Sequence, residues 1–254
     1  MLIYGIHPVV EALRAGRVKA LLVTDRVGAR VGEVVTEAER AAVPVQRVSP
    51  AVLERRAPGR VHQGIAAELV DPAALGIQDL LAAATGAALL VVLDGIEDPH
   101  NLGAIVRTAD AAGAHGIIRQ TRHRAPLGGV AAKASAGAVA HVKIADVVNI
   151  ARALDELKDA GVWTVGLASD ARTRYDEIDL SQPTALVVGA EGAGLRRLVR
   201  ERCDWVVSIP MRGRVASLNV SVAAGIVLFE AARQRRALGG EGAKTRQTGG
   251  RDTR

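Results

Sequence analysis

Leu89-Leu90-Val91-Val92-Leu93 runs straight into Asp94-Gly95-Ile96-Glu97-Asp98-Pro99-His100-Asn101-Leu102-Gly103-Ala104-Ile105-Val106-Arg107-Thr108. Five consecutive apolar residues without polar alternation describe a strand covered on both faces, the pattern of a parallel sheet. The polar stretch that follows opens a helix over Leu102–Ala112, with Asn101 placed to cap its first turn. Arg107 stands four residues after Gly103, so the spacing puts both on one helix face, looking toward a ligand at the helix mouth. Similar apolar runs recur at Gly116–Ile118, Val142–Ile144, Val162–Leu167, Ala185–Val188 and Trp205–Ile209. Helical spacing lies at Val148–Ala160 and Leu195–Glu201, and finally at Ser217–Arg235. This alternation predicts an α/β fold, a parallel sheet with helices on both faces.

Upstream lies a smaller α/β unit over residues 1–70. Its pattern predicts helices at Ile6–Ala15 and Val31–Ala41, with strands at Lys19–Val23, Val45–Val48 and Ile65–Leu69. Residues 71–87 read as a linker, broken by Pro72, Gly76 and Gly86 around a helical patch at Ile77–Ala83. The larger sheet domain occupies 88–236. The tail, 237–254, is basic, rich in Gly, Arg and Thr, lacks core formers and is expected to be disordered.

Composition narrows the functional classes. A chain of 254 residues that is 49% hydrophobic buries a substantial core. Gly, Asp or Arg interrupts every apolar run, so no membrane span is expected, and the N-terminus lacks the pattern of a signal peptide. The single cysteine, Cys203, excludes internal disulfides, and a cytoplasmic location is expected. The net charge of +6 is concentrated at the C-terminus, where residues 233–254 hold seven Lys/Arg against two Asp/Glu. In the body only local clusters remain, among them Arg119/Arg122/Arg124, whose residue type suits RNA phosphates or a solvated loop. The six histidines are scattered without zinc-like spacing, so no metal site is expected. Aromatic residues, at 2%, are too few for a base-stacking platform.

Two further polar segments follow apolar strands. Val188-Gly189-Ala190-Glu191-Gly192-Ala193-Gly194-Leu195 is a glycine-rich strand-to-helix loop. Its glycines are spaced G-x-x-G-x-G, unlike a dinucleotide fingerprint, and its carboxylate would repel a pyrophosphate. A cofactor with positive charge or hydroxyl donors suits it better. Ile209-Pro210-Met211-Arg212-Gly213-Arg214-Val215-Ala216-Ser217-Leu218-Asn219-Val220-Ser221 then leads from the last strand into a helix expected to start at Ser217.

Asn101-x-Gly103-x-x-x-Arg107-Thr108, Gly189-x-Glu191-Gly192-x-Gly194, and Ile209-Pro210-Met211 with Ser217-Leu218-Asn219-Val220-Ser221 resemble, in order, the three motifs of the SpoU/TrmH family of RNA ribose 2′-O-methyltransferases. Tyr4-Gly5-Ile6-His7-Pro8-Val9 and Val61-His62-Gln63-Gly64-Ile65 resemble its two-domain branch, which methylates a guanosine of 23S rRNA. Ala190 stands where the family often has Ser. The resemblance implies a C-terminal domain with a trefoil knot, a small ribosomal-protein-like N-terminal domain that binds RNA, and a homodimer. It implies S-adenosyl-L-methionine (AdoMet) as cofactor, held around Leu167, Gly189, Glu191, Gly192, Ile209, Met211, Ser217, Leu218 and Asn219. It implies a catalytic set of Arg107, Asn101, Glu191, Ser217 and Asn219; Arg107 is expected to meet RNA, and the basic cluster Arg119, Arg122 and Arg124 is expected to do so by its charge or else to form a solvated loop. A guanidinium stays protonated at neutral pH, so Arg107 is expected to clamp the phosphate beside the target ribose rather than to act as a base. tRNA, a different rRNA nucleotide as in antibiotic self-resistance enzymes, and a non-catalytic RNA-binding or ribosome-assembly role are the alternatives.

Overall fold

The computed structural model describes residues 1–25, 28–58, 61–70 and 74–238. In the N-terminal unit the elements are β1 (Leu2–Tyr4), α1 (Ile6–Arg14), β2 (Val18–Thr24), α2 (Ala29–Arg40), β3 (Val45–Val48), α3 (Pro50–Arg56) and β4 (Ile65–Leu69). The strands form a sheet in the order β1-β4-β2-β3. After α4 (Ile77–Ala82), the larger unit runs β5 (Leu89–Asp94), α5 (Pro99–Ala111), β6 (Gly116–Gln120), α6 (Val130–Ala134), β7 (Ile144–Val147) and α7 (Ile150–Asp159). It continues with β8 (Trp163–Leu167), β9 (Thr173–Arg174), β10 (Thr184–Gly189), α8 (Arg197–Arg202), β11 (Trp205–Ser208) and α9 (Val220–Leu238).

The second sheet is parallel throughout, in the order β7-β6-β5-β10-β8-β11-β9. From β5 the chain steps outward through β6 and β7, then crosses to β8 on the other side, and β10 returns between them. β5 and β10 therefore flank the point where the winding reverses, which is where open α/β sheets bind ligands at their carboxyl ends. Both strands are buried at every residue. Val91, Leu93, Leu186 and Val188 face one apolar cluster with α5 and α9, while Leu90, Val92, Ala185 and Val187 face another with α4 and α7. Two-sided burial is the reason these strands carry no polar alternation.

The N-terminal unit docks on the segment around α6. Gly129 N–H donates to Leu2 O at 3.2 Å, and Glu11 Oε2 lies 3.1 Å from His141 Nε2. The same segment packs on α5, where a Cβ at Gly103 would lie 2.5 Å from Ala134 Cβ and 2.6 Å from the Ala131 carbonyl oxygen.

Several expectations are corrected. α5 begins at Pro99 rather than Leu102, and its cap is Asp98, whose side chain accepts from His100 N–H at 2.9 Å. Asn101 is thus inside the first turn and free for another role. Gly103 does not face a ligand, because α6 occupies its side of the helix. α9 starts at Val220, and Asn219 caps it by accepting from Ser221 N–H at 2.9 Å; Ser217 and Leu218 remain in the loop. The helix also extends through Ala237 and Leu238, past the expected start of the tail at 237. Residues 239–254 lie outside the described residues, as do Asp71, Pro72 and Ala73 of the linker. α3, which starts Ser49-Pro50, was not anticipated from the pattern.

Candidate active site

The three polar segments meet at the carboxyl ends of the central strands. Gly189, the last residue of β10, pairs with Asp94, the last of β5. The loop after β10 then folds back so tightly that Gly194 N–H donates to Ala190 O at 2.8 Å. A Cβ on Gly189 would fall 2.2 Å from Gly194 C and O, so only glycine fits this approach. The hairpin-like loop carries Glu191 at its tip.

Side chains from all three segments then form one relay. Asn101 Nδ2 donates to Glu191 Oε2 at 2.9 Å, and Asn219 Nδ2 donates to Asn101 Oδ1 at 2.9 Å. Asn219 Oδ1 accepts from Ser221 N–H at 2.9 Å and Ser221 Oγ–H at 2.6 Å. Chemistry at the two ends fixes both amide orientations. Glu191 as a carboxylate only accepts and the Ser221 backbone N–H only donates, so each amide must present its NH₂ toward Glu191. Asn101 is buried, which makes loss of either partner costly.

Two clefts lie on either side of this relay. The first, about 330 Å³, is lined by Leu167, Gly189, Glu191, Gly192, Ile209, Met211, Ser217, Leu218 and Asn219, together with Ala168, Ser169, Val220 and Ala223. The second, about 860 Å³, is lined by Asn101, Gln120, His123, Arg196 and the segment 94–98. Ala190, Glu191 and Gly194 border both. The first cleft fits AdoMet by its donor set: the apolar Leu167, Ile209 and Leu218 for an adenine, the Ser169 and Ser217 hydroxyls for polar edges, and the Glu191 carboxylate for a sulfonium.

All nine residues expected at the cofactor thus surround one cleft, and Asn101 joins it through hydrogen bonds. The arginines do not converge there. Arg107 is exposed, lines neither cleft, and makes no side-chain hydrogen bond or ion pair among the described residues. Arg119 is buried on β6 with its guanidinium turned to protein groups: its Nε donates to Asp146 Oδ1 at 2.8 Å and its Nη1 to Ala125 O at 2.9 Å. Burial lowers the Arg119 guanidinium from its ordinary range against the opposing pull of Asp146. Arg124 pairs with the same carboxylate, whereas Arg122 is exposed.

Asp94 and Arg196 were missed. The Asp94 side chain is fully buried; its Oδ2 accepts from Arg196 N–H at 2.9 Å and its Oδ1 from Arg196 Nε–H at 2.6 Å. The available signal was a carboxylate ending an apolar strand, the position where open α/β sheets meet their ligands.

Residues 88–229 match the SpoU rRNA Methylase family. The chain belongs to that family. Residues 2–73 match the RNA 2′-O ribose methyltransferase substrate binding family. Over 240 residues the chain is 44% identical to the 23S rRNA (guanosine-2′-O-)-methyltransferase RlmB of Shewanella oneidensis, covering 92% of this chain and 98% of that protein. Its fold is similar to the SpoU methyltransferase AviRb from Streptomyces viridochromogenes in complex with AdoMet, at TM-score 0.79 and 29% identity over 93% of this chain and 91% of that one. The AdoMet-bound rRNA methyltransferase from Sinorhizobium meliloti aligns at TM-score 0.76 and 29% identity, covering 91% and 86% of the two chains. Among the described residues, no helix is long and apolar enough to cross a membrane, and no group of His, Cys, Asp and Glu is arranged to hold a metal.

Proposed function

We propose that this chain transfers the methyl group of AdoMet to a ribose 2′-hydroxyl of RNA, at a guanosine of 23S rRNA. The observation that carries this reading is the Asn219–Asn101–Glu191 relay standing between the two clefts. When bound, AdoMet supplies an electrophilic methyl on a sulfonium. Glu191 places negative charge beside that sulfonium, and the leucine and isoleucine walls exclude water from its surroundings. Asn101 and Asn219 hold the borders of the two clefts in fixed register, so that the ribose oxygen meets the methyl in line. Positioning of this kind supplies most of the acceleration in a displacement that needs no covalent enzyme intermediate.

Arg107 supports a further part of the reading. It sits on α5, whose Thr108 methyl would lie 3.2 Å from a Cβ on Gly225 of α9. On α9, Val222 and Phe229 are exposed and Ile226 half-exposed, an apolar stripe at helical spacing. A homodimer packed on this stripe brings the exposed Arg107 of one copy to the cleft of the other. There it grips the phosphate next to the target ribose, and the 2′-hydroxyl proton passes to that phosphate as the methyl arrives. The loop 209–219 reaching the cleft beside the 190–194 loop fits a C-terminal segment threaded as a trefoil knot. Residues 1–70 act as the RNA-binding unit, 71–87 as the linker and 88–236 as the catalytic domain, in a cytoplasmic enzyme without a metal.

The test is transfer of labelled methyl from AdoMet to separately purified, unmodified 23S rRNA, 16S rRNA and tRNA. Label confined to 23S rRNA supports the reading. Label in tRNA reassigns the substrate, and AdoMet binding without label in any RNA would favour a binding role.

A further inference from the structure

The second cleft holds an arrangement that methyl transfer alone does not require. Asp94 has no solvent-exposed side-chain surface, while its partner Arg196 is 56% exposed. Burying a carboxylate is costly unless it is fully paired, and here one partner does the pairing twice, through its backbone N–H and its guanidinium. Arg196 Nη2 also donates to Gln120 Oε1 at 2.8 Å. The Nε and Nη2 positions are thus engaged, whereas Nη1 makes no hydrogen bond among the described residues. Arg196 lines the second cleft. A flexible side chain has been fixed so that one pair of N–H donors is left for something outside the protein.

The surroundings say what that is. Glu97, Asp98 and Glu191 border the same cleft, and Arg197 is drawn off by Glu201 at 2.7 Å. Of these three carboxylates only Glu97 has a basic neighbour among the described residues, the His123 imidazole at 3.3 Å, and the set disfavours a phosphate. They suit instead an uncharged ring that carries both N–H donors and acceptor atoms, and guanine has N1–H and N2–H₂ on one edge with O6 and N7 on another. Arginine facing the O6/N7 edge is the commonest specific contact to guanine; with Nε and Nη2 held by Asp94 and Gln120, Arg196 has its two Nη1–H bonds to offer that edge, O6 first. RNA enzymes and binding proteins take such a base out of its stack to read it.

We propose that the second cleft receives the extruded target guanine and that Arg196, held by the buried Asp94 and by Gln120, reads its O6/N7 edge. This rests on the proposed methyl transfer to guanosine. Asp94 is then a positioning residue for base selection, and the ribose falls at the shared border formed by Ala190 and Glu191, next to the cofactor cleft.

The experiment uses the full-length protein and a short rRNA fragment with the mapped target nucleotide as guanosine, 2-aminopurine riboside (lacking O6 and the N1–H), inosine (keeping O6 and N1–H but lacking the 2-amino group) or 7-deazaguanosine (lacking N7). The wild type is expected to lose about ten- to a hundredfold in kcat/KM without O6, and less without N7. Arg196→Ala is expected to lose a similar factor on guanosine, to discriminate no further against the analogues, and to bind AdoMet as the wild type does. Arg196→Lys should recover only part of the discrimination. Equal turnover of the four fragments by the wild type overturns the proposal. So does an Arg196→Ala defect equal on all bases with a shallower salt dependence, which marks a phosphate contact. Loss of AdoMet binding in Arg196→Ala also overturns it, since Arg196 would then only scaffold the loop. Failure of the wild type to methylate the guanosine fragment removes the proposed function itself, and this inference falls with it.

Discussion

Asn101 donates its side-chain amide to Glu191 at 2.9 Å, although the two residues are separated by ninety positions. Because Asn101 also accepts from Asn219 at 2.9 Å, one buried side chain ties the segments after β5, β10 and β11 together. Replacing Asn101 by Ala leaves Glu191 and Asn219 without their shared partner. A hydrogen bond to a charged group contributes about 1.5–3 kcal/mol. We therefore expect kcat to fall by about ten- to a hundredfold while the protein stays folded by circular dichroism. Asn101→Asp should be worse than Asn101→Ala, since it sets two carboxylates in contact. Equal rates for the two variants and wild type would separate the relay from catalysis.

Gly189→Ala tests the loop rather than the relay. Its Cβ would collide with Gly194 and Leu195 backbone at 2.2–2.4 Å, where no flexible side chain is available to yield. Forced overpacking of this kind costs about 1–3 kcal/mol. The expected result is a lowered Tm together with loss of AdoMet binding by calorimetry. Retained affinity would mean that the loop conformation is not what shapes the cofactor cleft.

Cys203 gives a check on the packing behind the site. Burial pushes its thiol up to about 12, and its Sγ–H donates to Val199 O at 3.3 Å. The folded value lies above the ordinary one, so at pH 8 the thiolate, which is the reactive form, is nearly absent in the native protein. A thiol reagent at pH 8 should react slowly with the native chain and promptly after denaturation. Prompt native reaction would show that the strand β8 and helix α8 layer opens readily.

Arg107 is tested by mixing subunits. Arg107→Ala and Asn219→Ala are each expected to be inactive alone. If Arg107 serves the cleft of the other copy, a mixed dimer carries one site with both residues intact, and activity should recover to about a quarter of the wild-type level at random one-to-one assortment. No recovery from a mixture shown to exchange subunits would place Arg107 in its own chain's site.

Much of this was legible in the chain, because β5 is apolar from Leu89 to Leu93 and β10 from Ala185 to Val188, and each runs into a polar segment. Two-sided burial writes itself into sequence as a continuous run, and the carboxyl end of such a strand is where a ligand belongs. The errors have local causes. Asn101 looked like a cap because Asn favours caps, but the Asp98-Pro99 pair fills that role first: Asp accepts from the N–H groups and Pro sets the first helical turn. Arg119 looked like a surface cation because its partner Asp146 is remote in sequence and meets it only through the pairing of β6 with β7. α6, Val-Ala-Ala-Lys-Ala, is too short and too uniformly small to show a period, yet it is what Gly103 packs against. The Asp94–Arg196 pair joins the end of β5 to the start of α8 and has no spacing that a linear pattern contains.

The central claim is that the relay-bordered clefts methylate a ribose oxygen, and the product nucleoside tests it most directly. Unmodified 23S rRNA treated with the protein and AdoMet should be digested to nucleosides and analysed by mass spectrometry. The account expects new 2′-O-methylguanosine, with the added mass on the ribose fragment, much less of it from Asn101→Ala and none from Arg107→Ala at matched times. A methyl found on the base fragment, with the ribose unmodified, would contradict it.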